Sequence, residues 1–76
     1  MKTMSDPINP EYYRNYRVEV IDILEDAVAR APDPIKGSLQ YQVLKYLLRL
    51  WDKENAWQDA KKASWYLDRL ISKLEQ

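Results

Sequence analysis

The chain lacks cysteine and histidine altogether and has one glycine in 76 residues. Without cysteine there is no disulfide, and without cysteine or histidine the usual ligands of a structural zinc site are missing. The same absences exclude Ser-His-Asp and Cys-His catalysis. A single glycine, Gly37, cannot build a glycine-rich phosphate loop. Any phosphate chemistry must then rest on side-chain position and electrostatics. Charge of one sign is also lacking: twelve basic and twelve acidic residues cancel. Neutrality argues against a generic nucleic-acid coat or a membrane-surface peptide. No apolar run is long enough to cross a bilayer, and the N-terminus carries no signal-peptide core. These absences describe a soluble, cytoplasmic protein without DNA, RNA or membrane partners.

A chain of this length is one domain. It buries only about 60% of the surface its unfolded form exposes. Small domains without disulfides or metals are commonly stabilised by association, so a homo-oligomer is expected.

Residues 1–17 read as an irregular arm. Pro7 and Pro10 break any helix, and the arm then becomes aromatic and basic through Tyr12, Tyr13, Arg14, Tyr16 and Arg17. A single helical domain follows over residues 18–76. The first helix is predicted over Val18 to Ala31, with Ile21, Leu24, Val28 and Ala31 on one face, and ends at Pro32 and Pro34. Gly37 and Ser38 are read as opening a second helix, Ser38 to Trp51, with Leu39, Val43, Tyr46, Leu47 and Leu50 as its main apolar stripe. That helix carries more apolar surface than a three-helix monomer normally covers. The third helix begins at Asn55, an N-cap residue with Gln58 at the capping-box position. Its a/d stripe runs through Ala60, Ala63, Ser64, Leu67, Leu70, Ile71 and Leu74, small residues first and large ones after. No strand-like alternation or internal repeat is present, so the fold class is all-α with about three helices.

Neutrality conceals segregation. Residues 18–33 carry five acids against Arg30 alone, a net of −4, and residues 34–74 carry eight bases against four acids, a net of +4. Complementary packing within or between protomers is one reading. A basic pair of helices that holds phosphate, beside an acidic helix that orients a cation, sugar or base, is the other.

Three constellations can carry chemistry. Lys45 and Arg49 stack four residues apart beside Tyr46; two cations and a ring suit a phosphorylated ligand with a flat base. The alternative is a solvated basic edge with Tyr46 in the core. Asp59, Lys61, Lys62, Trp65, Tyr66 and Arg69 place cations and aromatics outside the core stripe, as at a protomer interface or a stacking platform. Glu19, Asp22 and Glu25, with Asp26, form an acidic row that reads either as a solvated face or as a magnesium site shared with phosphate.

The order of these blocks resembles a known family. Asp6-Pro7-Ile8-Asn9-Pro10 leads to Tyr12-Tyr13, followed by Val18-Glu19-Val20-Ile21-Asp22, then Leu44-Lys45-Tyr46-Leu47-Leu48-Arg49, then Asp59-Ala60-Lys61-Lys62-Ala63-Ser64-Trp65-Tyr66-Leu67. The pattern is similar to a family of small phage proteins, long catalogued as of unknown function, that includes the nucleotide kinase domain of short-tailed coliphages. The resemblance spans about residues 6–72, and its last block is the most specific. It implies an α-helical oligomer in the host cytoplasm that binds or acts on nucleotides. By position, the matching polar residues are Glu19, Asp22, Lys45, Tyr46, Arg49, Lys53, Asp59, Lys62 and Tyr66. The chain departs from the family pattern where histidines are expected near Pro10 and Tyr12, and where Tyr41-Gln42 replaces Gly-Asn.

The departures favour binding over turnover. The expected function is therefore sequestration of a nucleotide or nucleotide-derived signalling molecule, a counter-defence sponge. In that reading Lys45, Arg49, Lys62 and Arg69 hold phosphates, Tyr46, Trp65, Tyr66 and the arm tyrosines, Tyr13 among them, stack the base, and Glu19 and Asp22 take ribose hydroxyls or a cation. The alternatives are a nucleoside-monophosphate kinase, which would use Mg2+, and a non-enzymatic structural interaction module. No dedicated metal site and no firm cofactor are expected.

Overall fold

A computed structural model describes residues 16–52 and 54–76. Three helices follow one another: α1 (Val20–Val28), α2 (Pro34–Leu48) and α3 (Ala56–Leu74). The described residues contain no strand, and the all-α class holds. The expected arm lies almost wholly outside the described residues.

α1 is shorter than its sequence pattern suggests. Val20 and Leu24, one turn apart, are its buried side chains, and Ile21, Tyr41, Leu44 and Leu48 pack around them. Glu19, Asp22, Glu25 and Asp26 are all exposed. Among the described residues no ion pair joins this acidic helix to the basic ones. The Tyr16 hydroxyl donates to the Leu48 carbonyl and ties the chain entering α1 to the last turn of α2.

α2 begins four residues earlier than expected. Pro34 occupies the first turn, where a missing N–H costs nothing, rather than merely ending the preceding helix. Asp33 is the cap: its Oδ1 accepts from the Lys36 backbone N–H at 2.9 Å, and Oδ2 pairs with Lys36 Nζ at 2.9 Å. Those two bonds from Lys36, backbone first, hold the Asp33 carboxyl below the usual carboxylate range. Gly37 therefore sits inside the helix rather than opening it. A Cβ there would lie 3.1 Å from Ala31 Cβ, so glycine allows the end of α1 to approach α2 closely.

α3 matches its expected start: the Asn55 side chain accepts from the Gln58 N–H at 2.9 Å. Nineteen residues make it about 28 Å long. α2 packs against both neighbours and is the central element.

The main corrections concern which faces are inside. On α2 the buried side chains are Val43 and Lys45, with Arg49 just past the helix end, while Leu47 and Trp51 are exposed. On α3 Asp59 and Ala63 are buried, with Tyr66 and Leu70 half-buried, whereas Ala60, Ser64, Leu67, Ile71 and Leu74 are exposed. The inward stripe is thus set about one residue back from most of the a/d pattern. Arg49 and Asp59 pair across this contact, which offsets the cost of burying their charges.

Candidate functional site

The basic motif of α2 and the aromatic–basic motif of α3 meet across the α2–α3 contact. At their centre is the Tyr46 ring. Arg49 Cζ lies 4.7 Å from its centroid, Lys45 Nζ 5.0 Å and Lys62 Nζ 5.5 Å. Three cations share one π-system, at distances where the ring quadrupole attracts each of them. Tyr66 stacks beside Tyr46 with centroids 6.0 Å apart and planes 15° from parallel. Trp65 meets Tyr66 edge-on at 5.1 Å and 84°.

Spacing along the helices produces this arrangement. Lys45 and Arg49 are four residues apart and both approach the Tyr46 ring. Lys62 and Tyr66 are likewise four apart on α3, one turn after Asp59 and facing α2. Asp59 closes the site from below. Its Oδ2 accepts from Arg49 Nε at 3.2 Å and its Oδ1 from Nη2 at 3.5 Å, a side-on paired contact with both groups buried. Lys45 is buried too. Desolvation lowers its pKa below the ordinary lysine value, the nearby Arg49 and Lys62 charges lower it further, and Asp59 opposes them.

Tyr46, Lys62, Trp65 and Tyr66 line a shallow open groove of about 340 Å³ on this surface. Its floor is aromatic. Lys62 and Trp65 are solvent-exposed, whereas Lys45 and Arg49 lie beneath. The groove offers a ring face and one exposed ammonium to a ligand, with two buried cations 4.7 and 5.0 Å from the Tyr46 ring.

The expected site residues therefore divide. Lys45, Tyr46, Arg49, Lys62, Trp65 and Tyr66 come together. Arg69 is exposed one turn beyond the groove and does not line it. Glu19, the N-cap of α1, and Asp22 in its first turn are exposed and away from the groove lining. Among the described residues no group of three or more acidic side chains is placed to hold a metal ion. Tyr13 and Lys53 fall outside the described residues. The alternative of a solvated basic edge is also corrected for Lys45 and Arg49, which are buried.

What sequence reasoning missed is the partnership of Asp59 with Arg49. The available signal was the i, i+4, i+7 register of Asp59, Ala63 and Tyr66, which places an acid in line with a small residue and a ring. No helix among the described residues is long and apolar enough to cross a membrane.

Fold and groove together define a small all-α domain with a cation-backed aromatic surface between its second and third helices. The chain belongs to a family of proteins of unknown function, DUF3310, which it matches over residues 8–68. That span includes every residue of the groove. No curated protein and no solved structure matches the chain.

Proposed function

We propose that this protein binds a nucleotide or nucleotide-derived signalling molecule in the α2–α3 groove and holds it without turning it over, as a phage sponge for a host defence signal would. One observation carries the reading: three cations converge on the Tyr46 ring beside an exposed tryptophan. A base stacks on an aromatic face irrespective of its identity, and such stacking contributes about 1–3 kcal/mol per base. Trp65 supplies that face. Lys62 reaches a phosphate directly. Arg49, with two donors committed to Asp59, and the buried Lys45 act through their field rather than as a phosphate fork. Desolvation, and after it the Arg49 and Lys62 charges, depress the Lys45 pKa; an arriving anion offsets the repulsive part, so binding and stability are coupled.

The test is direct. Protein purified from cells is heated, and the released small molecules are identified by mass spectrometry. In parallel, melting is followed with a panel of mono-, di- and cyclic nucleotides. Trp65→Ala and Lys62→Ala are expected to lose the thermal shift while keeping the helical spectrum. No released nucleotide and no shift with any of the panel would exclude the reading. Conversion of a deoxynucleoside monophosphate in the presence of ATP and Mg2+ would replace it with the kinase activity implied by the family resemblance.

A structural reading has its own support in the buried Arg49–Asp59 pair, which joins α2 to α3 whether or not a ligand binds. Under that reading Trp65→Ala and Lys62→Ala change no binding, and only Arg49 and Asp59 variants have a phenotype, in stability.

A further inference from the structure

The outer surface of α3 carries an apolar seam that stays exposed among the described residues. Trp57, Ala60, Ser64, Leu67, Ile71 and Leu74 follow one another at alternating steps of three and four, the repeat that keeps one stripe facing a neighbouring helix. All six are exposed: Trp57 is 72% accessible, Leu67 44%, Ile71 45% and Leu74 62%. The inward stripe of Asp59, Ala63, Tyr66 and Leu70 is separate from it. We infer that this seam binds a second copy of the chain, with the two α3 helices antiparallel about a two-fold axis.

Two features select that occupant and that orientation. The first is volume. The seam is small in its first half, at Ala60 and Ser64, and large in its second, at Leu67, Ile71 and Leu74. An antiparallel copy sets Ala60 against Ile71 of the second copy, Ser64 against Leu67 and Trp57 against Leu74, so small meets large in successive layers. A parallel copy would set alanine against alanine at one end and leucine against leucine at the other, and the helices would splay. The second feature is charge. Within α3 the residues flanking the seam on one side are Lys61 and Asp68, with Glu75 following at the C-cap. Antiparallel packing brings this flank against itself and places Lys61 opposite Asp68 of the second copy, twice by symmetry. The other flank is Ala56, Ala63 and Leu70, which carries no charge, so a parallel pair would gain no matching contact. Lys62 and Trp65 lie on the far side of α3 from the seam, and the groove stays open in the dimer. The inference is independent of what the groove binds.

Absence of native cysteine makes the geometry testable by cross-linking in the full chain. Ala60→Cys mixed with Ile71→Cys is expected to give the mixed disulfide dimer in preference to either homodimer under mild oxidation. Homodimeric cross-links in its place would overturn the antiparallel arrangement. Sedimentation across a range of concentrations is expected to show a dimer that Leu67→Glu converts to monomer with its helical spectrum retained. Lys61→Asp and Asp68→Lys are each expected to weaken the dimer about tenfold, and the double variant to restore it, since each single change faces like charges across the interface. A monomer at every concentration, or an oligomer indifferent to Leu67→Glu and to the charge swap, overturns the proposal and leaves the seam to residues 1–15 or to a different protein.

Discussion

Asp59 and Arg49 set the internal geometry of this protein at the scale of single residues. Each is buried, and pairing with the other offsets the cost of burying its charge. Asp59→Ala leaves a buried guanidinium without its carboxylate, a change that typically costs about 3–5 kcal/mol. For a domain with four buried apolar side chains among its described residues, that is enough to abolish cooperative thermal unfolding followed by circular dichroism. Replacing both partners, Asp59→Leu with Arg49→Met, is expected to recover much of the loss, since no charge remains desolvated. Lys45 yields a prediction in pH. Its folded pKa is lower than its unfolded one, so between the two values the unfolded chain binds more protons and stability rises with pH. Below the folded pKa the cost of the buried charge is fully present. Urea unfolding of the wild type at pH 7 and pH 10 is therefore expected to show a gain at the higher pH that Lys45→Met lacks. The Lys45-Tyr46-Arg49 triplet was legible as a motif, and Lys62 and Tyr66 as its complement. That two of the cations would be buried was not, because a lysine or arginine is normally assigned to the surface unless its counter-ion is known.

At the scale of helices, ends and close approaches matter most. Asn55 caps α3 through the Gln58 N–H, and Asn55→Ala is expected to cost about 1 kcal/mol in chemical denaturation. Asn55→Asp should hold near the wild-type value and serves as the control. Gly37 is required by proximity rather than by an unusual backbone angle, since no residue among those described has positive φ. Its neighbour is Ala31 Cβ. Gly37→Leu is therefore expected to force α1 away from α2, destabilising by about 1–3 kcal/mol, and to loosen the Val20–Leu24 contacts, seen as faster amide exchange in α1. The number and order of the helices followed from apolar spacing and from prolines. The start of α2 did not, because the Pro32-Asp33-Pro34 run has the form of a helix terminator. Asp33 followed by Pro34 is equally an N-cap followed by a first-turn proline, and only the packing of Gly37 against Ala31 chose between the two.

For the whole molecule, the balance of buried and exposed surface is the governing fact. The protomer places a polar, cation-rich stripe between α2 and α3 and leaves the apolar seam of α3 in solvent. A folded protomer stabilised by a second copy has a melting temperature that rises with protein concentration. Melting of the wild type is expected to move upward over a hundredfold dilution series read from low to high concentration, and melting of Leu67→Glu to stay constant. Nucleotide binding adds its own increment at fixed protein concentration, and Trp65→Ala removes that increment without changing the concentration dependence.

The sequence by itself determined the all-α class, the three helices and the two motifs that carry cations and rings. Those properties follow from residue type and from local spacing, which a single chain displays directly. The tertiary structure alone decided which stripe of α3 faces inward. The apolar repeat pointed to the seam of Leu67 and Ile71, yet the α2–α3 contact forms through Asp59, Ala63 and Tyr66. The physical reason is that Arg49, at the C-cap of α2, and Asp59, in α3, lie ten residues apart. Their mutual desolvation is a pairwise energy, and no property of either helix taken singly contains it. Once that pair closes, Tyr46, Lys62 and Tyr66 are carried into one groove, and the more regular apolar face is turned outward.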